Sequence, residues 1–279
     1  MTYPYAMPAE VQNIPDFWDR LHAACMSFLV LDYDGTIAPF RAERMEALPL
    51  PGIALLLEKI REKAQGALAI ISGRPVSEIL CLLGDLRIMT VGGHGSEFRF
   101  PDGTMISIDP TGTQKQGLEQ AWRSIVREAG EDRIERKKMS LALHTRGLDK
   151  DEAVRLEILA REEWDIIGSS HELEIVKFNG GIELRCRGIN KGDALLRLLS
   201  HVGGDVFTVY IGDDETDEDA FGAIEGQGVS IRVAESGDRT RAQGLLRDVH
   251  AVKDFLGAWL VHAPAGRPGE TLWKREDWR

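Results

Sequence analysis

The stretch FLVLDYDGTIAPF, residues 28–40, limits the possible folds of this chain more than any other segment. Phe28 to Leu31 is an unbroken run of large apolar residues. A strand with no polar face belongs inside a parallel sheet that helices cover on both sides. The run stops at Asp32 and Asp34, followed by Gly35. In open α/β sheets ligands bind at the carboxyl ends of the strands, which would set both acids at the mouth of a crevice. Side chains alternate along an extended chain, so the two carboxylates aim to the same side. Like charges that close are costly unless a cation lies between them or one carries a proton. Asp-Gly is also ordinary turn chemistry, so this stretch alone leaves a simple turn open.

The rest of the chain repeats the pattern. After Pro51, apolar residues at Ile53, Leu56, Leu57 and Ile60 form a helical stripe. Ala67 to Ile71 reads as a second buried strand ending in Ser72, Gly73, Arg74 and Pro75, with a helix from Val76. A further strand and a hairpin around Pro101-Asp102-Gly103 follow. Strands alternating with helices predict an α/β, doubly wound parallel sheet with right-handed crossovers. From about Thr111 the character changes to helices such as KQGLEQAWRSIVREAG alternating with strands such as MSLALHT and GGIELRC, which reads as an inserted α+β module. The parallel pattern resumes with a helix opened by Lys191, then DVFTVYIGDDETDEDAF, another apolar strand ending in acids. GVSIRV reads as a strand, and RAQGLLRDVHAVKDFLGAWL as closing helices. The expected division is an N-terminal segment 1–20, a core in two parts (21–110 and 187–264), an insertion 111–186, and a loosely ordered tail 265–279.

A formal charge of −11 argues against a nucleic-acid surface, which needs a basic stripe. An anionic small substrate stays open, because a few local cations can reverse the field in a cleft. No apolar run reaches the length of about 20 residues that spans a bilayer, and no secretory pattern opens the chain, so a cytoplasmic protein with no membrane partner is expected. Cys25, Cys81 and Cys186 are too widely spaced for a metal finger or redox pair.

Three strand ends therefore carry polar clusters: Asp32 with Asp34, Ser72-Gly73-Arg74, and Asp213-Asp214 with Asp217. Singly, each has an ordinary explanation. Ser72 suits a helix N-cap, Lys191 a solvated surface, and the aspartates a helix N-terminus. Their order is specific. DYDGT, SGR, a lysine before GDAL, and GDDETDEDAF resemble the haloacid dehalogenase superfamily of phosphatases. GGHGSE, ERKKMSLALHTR and GGIELRCRGINKG resemble, more narrowly, the trehalose-6-phosphate phosphatase family.

The resemblance implies a Mg²⁺-dependent phosphoric monoester hydrolase. Asp32 is its expected nucleophile and, with Asp213, a direct carboxylate ligand of the metal; Asp34 would add its backbone carbonyl. Mg²⁺ takes oxygen ligands and keeps several waters, which suits a site with few carboxylates. Asp34 would have its side chain free to act as general acid and base. Ser72, Gly73 and Lys191 would hold the phosphoryl oxygens, while Asp214 and Asp217 would hold metal waters or position Lys191. The substrate contacts implied are Arg74, with His94 and Glu97 facing the cleft from the core and Glu135, Lys137, His144, Arg146, Glu183 and Arg185 from an inserted cap that closes over the site.

Two positions depart from the family pattern. Thr145 stands where tyrosine is common, and Cys186 where proline is common. Losing the tyrosine would alter sugar stacking. The leading expectation is hydrolysis of trehalose 6-phosphate by a monomeric enzyme. The alternatives are a phosphatase for another phosphorylated sugar or glycoside, such as glucosylglycerol phosphate or sucrose 6-phosphate, and a non-enzymatic sugar-phosphate binding protein.

Overall fold

The computed structural model describes residues 14–41, 43–64, 67–178, 180–202, 206–236, 239–265, 273 and 278. The chain divides into two compact units, one built from the segments up to Ser107 and from Asn190 onward, the other from Ile108–Ile189.

The first unit begins with α1 (Phe17–Ala23), β1 (Ser27–Leu31), α2 (Ile53–Ala64), β2 (Leu68–Ile71), α3 (Val76–Leu83) and β3 (Met89–Gly92). The hairpin β4 (Glu97–Arg99) and β5 (Met105–Ser107) turns at Pro101–Gly103, where the Asp102 side chain accepts from the Thr104 amide. The insertion supplies α4 (Gly112–Ala129), β6 (Ile134–Arg136), β7 (Ser140–His144), α5 (Lys150–His171), β8 (Leu173–Phe178) and β9 (Gly181–Cys186). The first unit then resumes with α6 (Lys191–Val202), β10 (Phe207–Gly212), α7 (Glu218–Ala223), β11 (Gly228–Val233), β12 (Gly244–Leu246) and α8 (Val249–His262).

These strands form an eight-stranded sheet in the order β12-β11-β10-β1-β2-β3-β4-β5. The pairs from β12 through β3 are parallel, and β4 and β5 continue antiparallel. Every residue of β1, β2 and β3 is buried, as their unbroken apolar sequence requires. The strand order reverses at β1, whose neighbours are β2 on one side and β10 on the other. Such a switch point opens a crevice at the carboxyl ends of the two strands, and here that places Asp32 beside Asp213.

Three expectations change. Gly244–Leu246, read as helix, is a short parallel edge strand on β11, with Leu246 fully buried. Periodicity cannot separate so short an apolar run from a helix, and the open ladder of β11 decides it. Ile14 and Phe17 lie in the core with Phe255 and Trp259, so the core starts ahead of residue 21. In the tail, expected to be loose, Trp273 packs on Phe28, and Trp278 packs on Phe98 and Phe100 and stacks on His201. Both tryptophans are buried.

The second unit is a four-stranded antiparallel sheet, β6-β7-β9-β8, with α4 and α5 on one face. Each helix starts with a cap: Thr111 and Gln114 form a capping box on α4, and the Asp149 side chain accepts from the Glu152 amide on α5. Alternation sends Leu141, Leu143, Ile182 and Leu184 into the apolar layer with Trp164, whose Nε1 donates to the Ala121 carbonyl. The alternate positions, Glu135, Ser140, His144, Glu183 and Arg185, share the opposite, polar face. The strands β6 and β8, absent from the sequence reading, carry that ladder to both edges.

Candidate active site

The site grows from the ends of β1 and β10. The Asp32 amide continues the ladder by donating to the Ile211 carbonyl, 2.8 Å. Asp32 is 3% exposed, and its Oδ1 accepts from Lys191 Nζ at 2.8 Å. Lys191, the first residue of α6, also donates to Asp217 Oδ1 at 2.7 Å. Burial is the largest influence on Asp32 and pushes its carboxyl up to about 7 against the pull of Lys191. Burial, then the charges of Asp32 and Asp217, pushes Asp213 up to about 9. Burial acts to lower the pKa of Lys191, but Asp217 and Asp32 outweigh it and raise it.

Asp32, Asp213 and Asp217 each offer an oxygen within 4.8 Å of the others. Their hydrogen bonds separate their roles. Asp217 is fully buried, and its Oδ1 accepts from Lys191 and from the Tyr210 hydroxyl, 2.6 Å. Its Oδ2 accepts from the Asp213 and Asp214 amides, both at 3.0 Å. Its lone pairs are thus committed, and the residue shapes the turn Glu215–Asp217 and steers Lys191. Asp213 differs: its Oδ1 is buried and has no hydrogen-bond partner among the described residues. An orphaned buried carboxylate oxygen facing a second carboxylate fits a hard divalent cation. Gly35, with φ +73°, is needed next to it, because a Cβ there would fall 2.2 Å from Asp213 Oδ2. Asp214 accepts from the Glu215 amide and caps the turn.

The end of β2 forms the facing wall. Ser72 is 1% exposed, and its Oγ accepts from the Arg74 amide at 3.2 Å. It does not cap α3. Pro75 occupies the N-cap position, and Glu97 Oε2 accepts from the Val76 amide at 2.9 Å. One oxygen of Glu97, expected at the cleft, is thus engaged at a helix end. Gly73 lets the turn lie against His94, since a Cβ would fall 2.5 Å from the imidazole. The His94 amide donates to the Ser72 carbonyl, which ties the GGHGSE segment to this wall.

Two further expected site residues pair with each other. The Asp34 side chain is not free: Arg74 Nε and Nη2 donate to its two oxygens at 2.6 and 2.7 Å. Arg74, expected at the substrate, is 4% exposed and also donates to Glu78, which pairs with Arg44. A guanidinium fork matches a carboxylate so well that burial selects this pairing. Tyr210 and Glu78 were missed at the sequence level. A tyrosine inside the aliphatic run FTVYIG signals a buried hydroxyl partner, and Glu78 lies one helical turn after Arg74.

Within the second unit, Lys137 Nζ lies 3.2 Å from Glu183 and 3.6 Å from Glu135, whose Oε2 is 3.1 Å from His144 Nε2. Ser140 Oγ donates to Glu183. Arg185 pairs with Glu174 at 2.7 Å, and Arg146 is exposed after β7. Thr145 faces the other way: its hydroxyl donates to Glu157 on α5 at 2.8 Å. Cys186 sits fully buried in the apolar layer. Neither departure from the family pattern lies on the polar face.

A doubly wound sheet whose switch point gathers Asp32, Asp213 and a doubly paired lysine, with a glycine-serine turn opposite, defines a haloacid dehalogenase-type phosphatase core. A family model described as trehalose-phosphatase matches residues 30–248, and the chain belongs to that family. The chain is 29% identical over 255 residues to a protein named probable trehalose-phosphate phosphatase 3 from Oryza sativa, covering 81% of this chain and 67% of that one. It is 30% identical over 237 residues to a trehalose-phosphate phosphatase from Mycobacterium marinum, covering 81% of this chain and 59% of the relative. The chain thus spans about three-fifths to two-thirds of these two relatives. In three dimensions it is similar to the C-terminal domain of the Candida albicans trehalose-6-phosphate phosphatase, with TM-score 0.74, 20% identity, and 92% and 99% of the two chains covered. A Candida albicans trehalose synthase regulatory protein domain is also similar, with TM-score 0.70, 11% identity, and coverage of 86% and 96%. That likeness shows the fold alone.

Proposed function

We propose that this protein hydrolyses trehalose 6-phosphate to trehalose and phosphate. The observation that carries the reading is the pairing of a buried Asp32 with Lys191 beside the orphaned Asp213 oxygen, in a chain of the trehalose-phosphatase family. Asp32 and Asp213 would hold Mg²⁺, whose charge offsets that of the carboxylates and the phosphate dianion. Asp32 attacks phosphorus, and the sugar–oxygen bond to phosphorus breaks as an aspartyl-phosphate forms. Lys191 and the amides of the Ser72–Arg74 turn hold the non-bridging oxygens while charge shifts among them. Asp34 protonates the departing sugar oxygen, then takes a proton from the water that releases phosphate from Asp32. Arg74 aims its carboxylate for both steps.

Glu135, Lys137, His144, Arg146, Glu183 and Arg185 are the sugar-contacting set in this reading. Neighbouring carboxylates and cations on one polar sheet face suit vicinal hydroxyls. Inserted between β5 and α6, the second unit acts as a cap that excludes water during turnover. The test is phosphate release from trehalose 6-phosphate beside glucose 6-phosphate, sucrose 6-phosphate and glucosylglycerol phosphate, with Mg²⁺ and with excess chelator. Selective, chelator-sensitive release from trehalose 6-phosphate is expected. Metal-dependent release from another sugar would overturn the substrate assignment and keep the chemistry.

A further inference from the structure

The first unit holds a cavity of about 530 Å³ lined by Glu215, Glu218, Arg232, Arg239, Thr240 and Arg241. None of these side chains belongs to the carboxylate cluster described above. Glu218, the first residue of α7, organises the cavity. Its Oε1 accepts from Arg232 Nη1 at 3.0 Å and from the Thr240 hydroxyl at 2.7 Å, and its Oε2 accepts from the Arg241 amide at 2.8 Å. One carboxylate thereby fixes a strand arginine and the segment before β12, and its charge is spent on Arg232.

The guanidinium groups of Arg239 and Arg241 have no carboxylate partner among the described residues. Arg239 has φ +48°, a left-handed conformation unusual for a side chain of its size. Arg241 lies over α7 with its guanidinium against Gly222, where a Cβ would fall 2.3 Å from Nη1. Glu218 and the segment it fixes bring Arg232, Arg239 and Arg241 to one opening, where three guanidinium groups outnumber the two carboxylates of Glu215 and Glu218. In a chain of formal charge −11, such a local excess of positive charge points to an anion. Planar guanidinium forks match tetrahedral phosphate oxygens better than a halide.

We propose that this cavity is a second, non-catalytic anion site that takes a phosphate group, either free or as a small phosphomonoester. Glu215 lines it from the same turn that ends in Asp217, two residues before the group that steers Lys191.

The test uses the full chain in excess chelator, with inorganic phosphate and glucose 6-phosphate as separate probes read by ³¹P NMR line broadening and by melting temperature. Saturable phosphate binding is expected in the wild type and in Asp32→Asn, weakened at least tenfold in Arg239→Gln/Arg241→Gln. The single Arg239→Gln, a surface change, serves if the double variant melts early without ligand. Binding of inorganic phosphate alone identifies the free ion as occupant, and binding of both probes identifies the phosphomonoester class. Equal binding by wild type and arginine variants, loss of all binding in Asp32→Asn, or no saturable binding overturns the proposal. The outcome is independent of whether trehalose 6-phosphate is the substrate.

Discussion

Replacing Lys191 by Met tests how the buried cluster is held together. The two side chains are nearly isosteric, so packing is kept and only the cation is removed. Lys191 is 3% exposed and bridges Asp32 at 2.8 Å and Asp217 at 2.7 Å, with Asp213 alongside. Removing one partner of a buried ion pair costs about 3–5 kcal/mol, because the other charge stays buried and uncompensated. For a chain somewhat above 150–250 residues, each kcal/mol moves the melting temperature by about 2–4 °C, which predicts a loss of roughly 6–20 °C. The measurement is a thermal melt of wild type and Lys191→Met in excess chelator, repeated in millimolar Mg²⁺. A divalent cation between Asp32 and Asp213 stabilises either protein by about 2.7 kcal/mol when it stands near a hundred times its Kd, so the deficit should shrink with Mg²⁺ only by the extra affinity the variant gains once the competing lysine charge is gone. Phosphate release should stay abolished under both conditions. A variant melting within about 2 °C of wild type in chelator would refute the claim that Lys191 neutralises the cluster.

Other predictions follow from single contacts. Asp32→Asn should abolish turnover while leaving the circular dichroism spectrum unchanged, and wild-type-like turnover would remove it as nucleophile. Glu97→Ala removes the acceptor at the start of α3 and should destabilise by about 0.5–2 kcal/mol in denaturant titration. Trp278→Ala empties the site between Phe98, Phe100 and His201 and should cost about 3–5 kcal/mol; an unchanged melt would show that the tail contributes nothing. Burial pushes the Cys186 thiol up to about 11, so at pH 8 it stays protonated, and iodoacetamide should modify exposed Cys25 and Cys81 first. Because a raised thiol pKa means less thiolate at every pH below it, Cys186 labelling should appear only as pH approaches that value or as the protein unfolds.

The central strands were legible because an apolar run without alternation has few structural alternatives, and the helices between them implied parallel pairing. The ends of β1, β2 and β10 were legible for the same reason: charge after such a run must meet a partner. What escaped was pairing. Arg74 could be placed at the second strand end, but nothing in SGR says whether its fork faces a substrate or Asp34. Glu97 illustrates the same limit, since a glutamate three residues past a histidine can line a cleft or cap a helix from another strand. Gly244–Leu246 escaped because three residues carry no period, and only the free edge of β11 makes them a strand.

The central position of β1 has a consequence for how the molecule comes into being. One edge of β1 pairs with β2, close in sequence, but the other waits for β10, which is made only after the whole inserted unit. Translation delivers about 5–20 residues each second, so that edge stays bare for roughly ten seconds or more. Nascent β1 is then a sticky ribbon with an unsatisfied ladder, the kind of surface that recruits chaperones or other nascent chains. The delay also keeps Asp32 chemically silent, because both Lys191 and Asp213 arrive later on the ribosome, so competence and burial of the edge are acquired in the same late event.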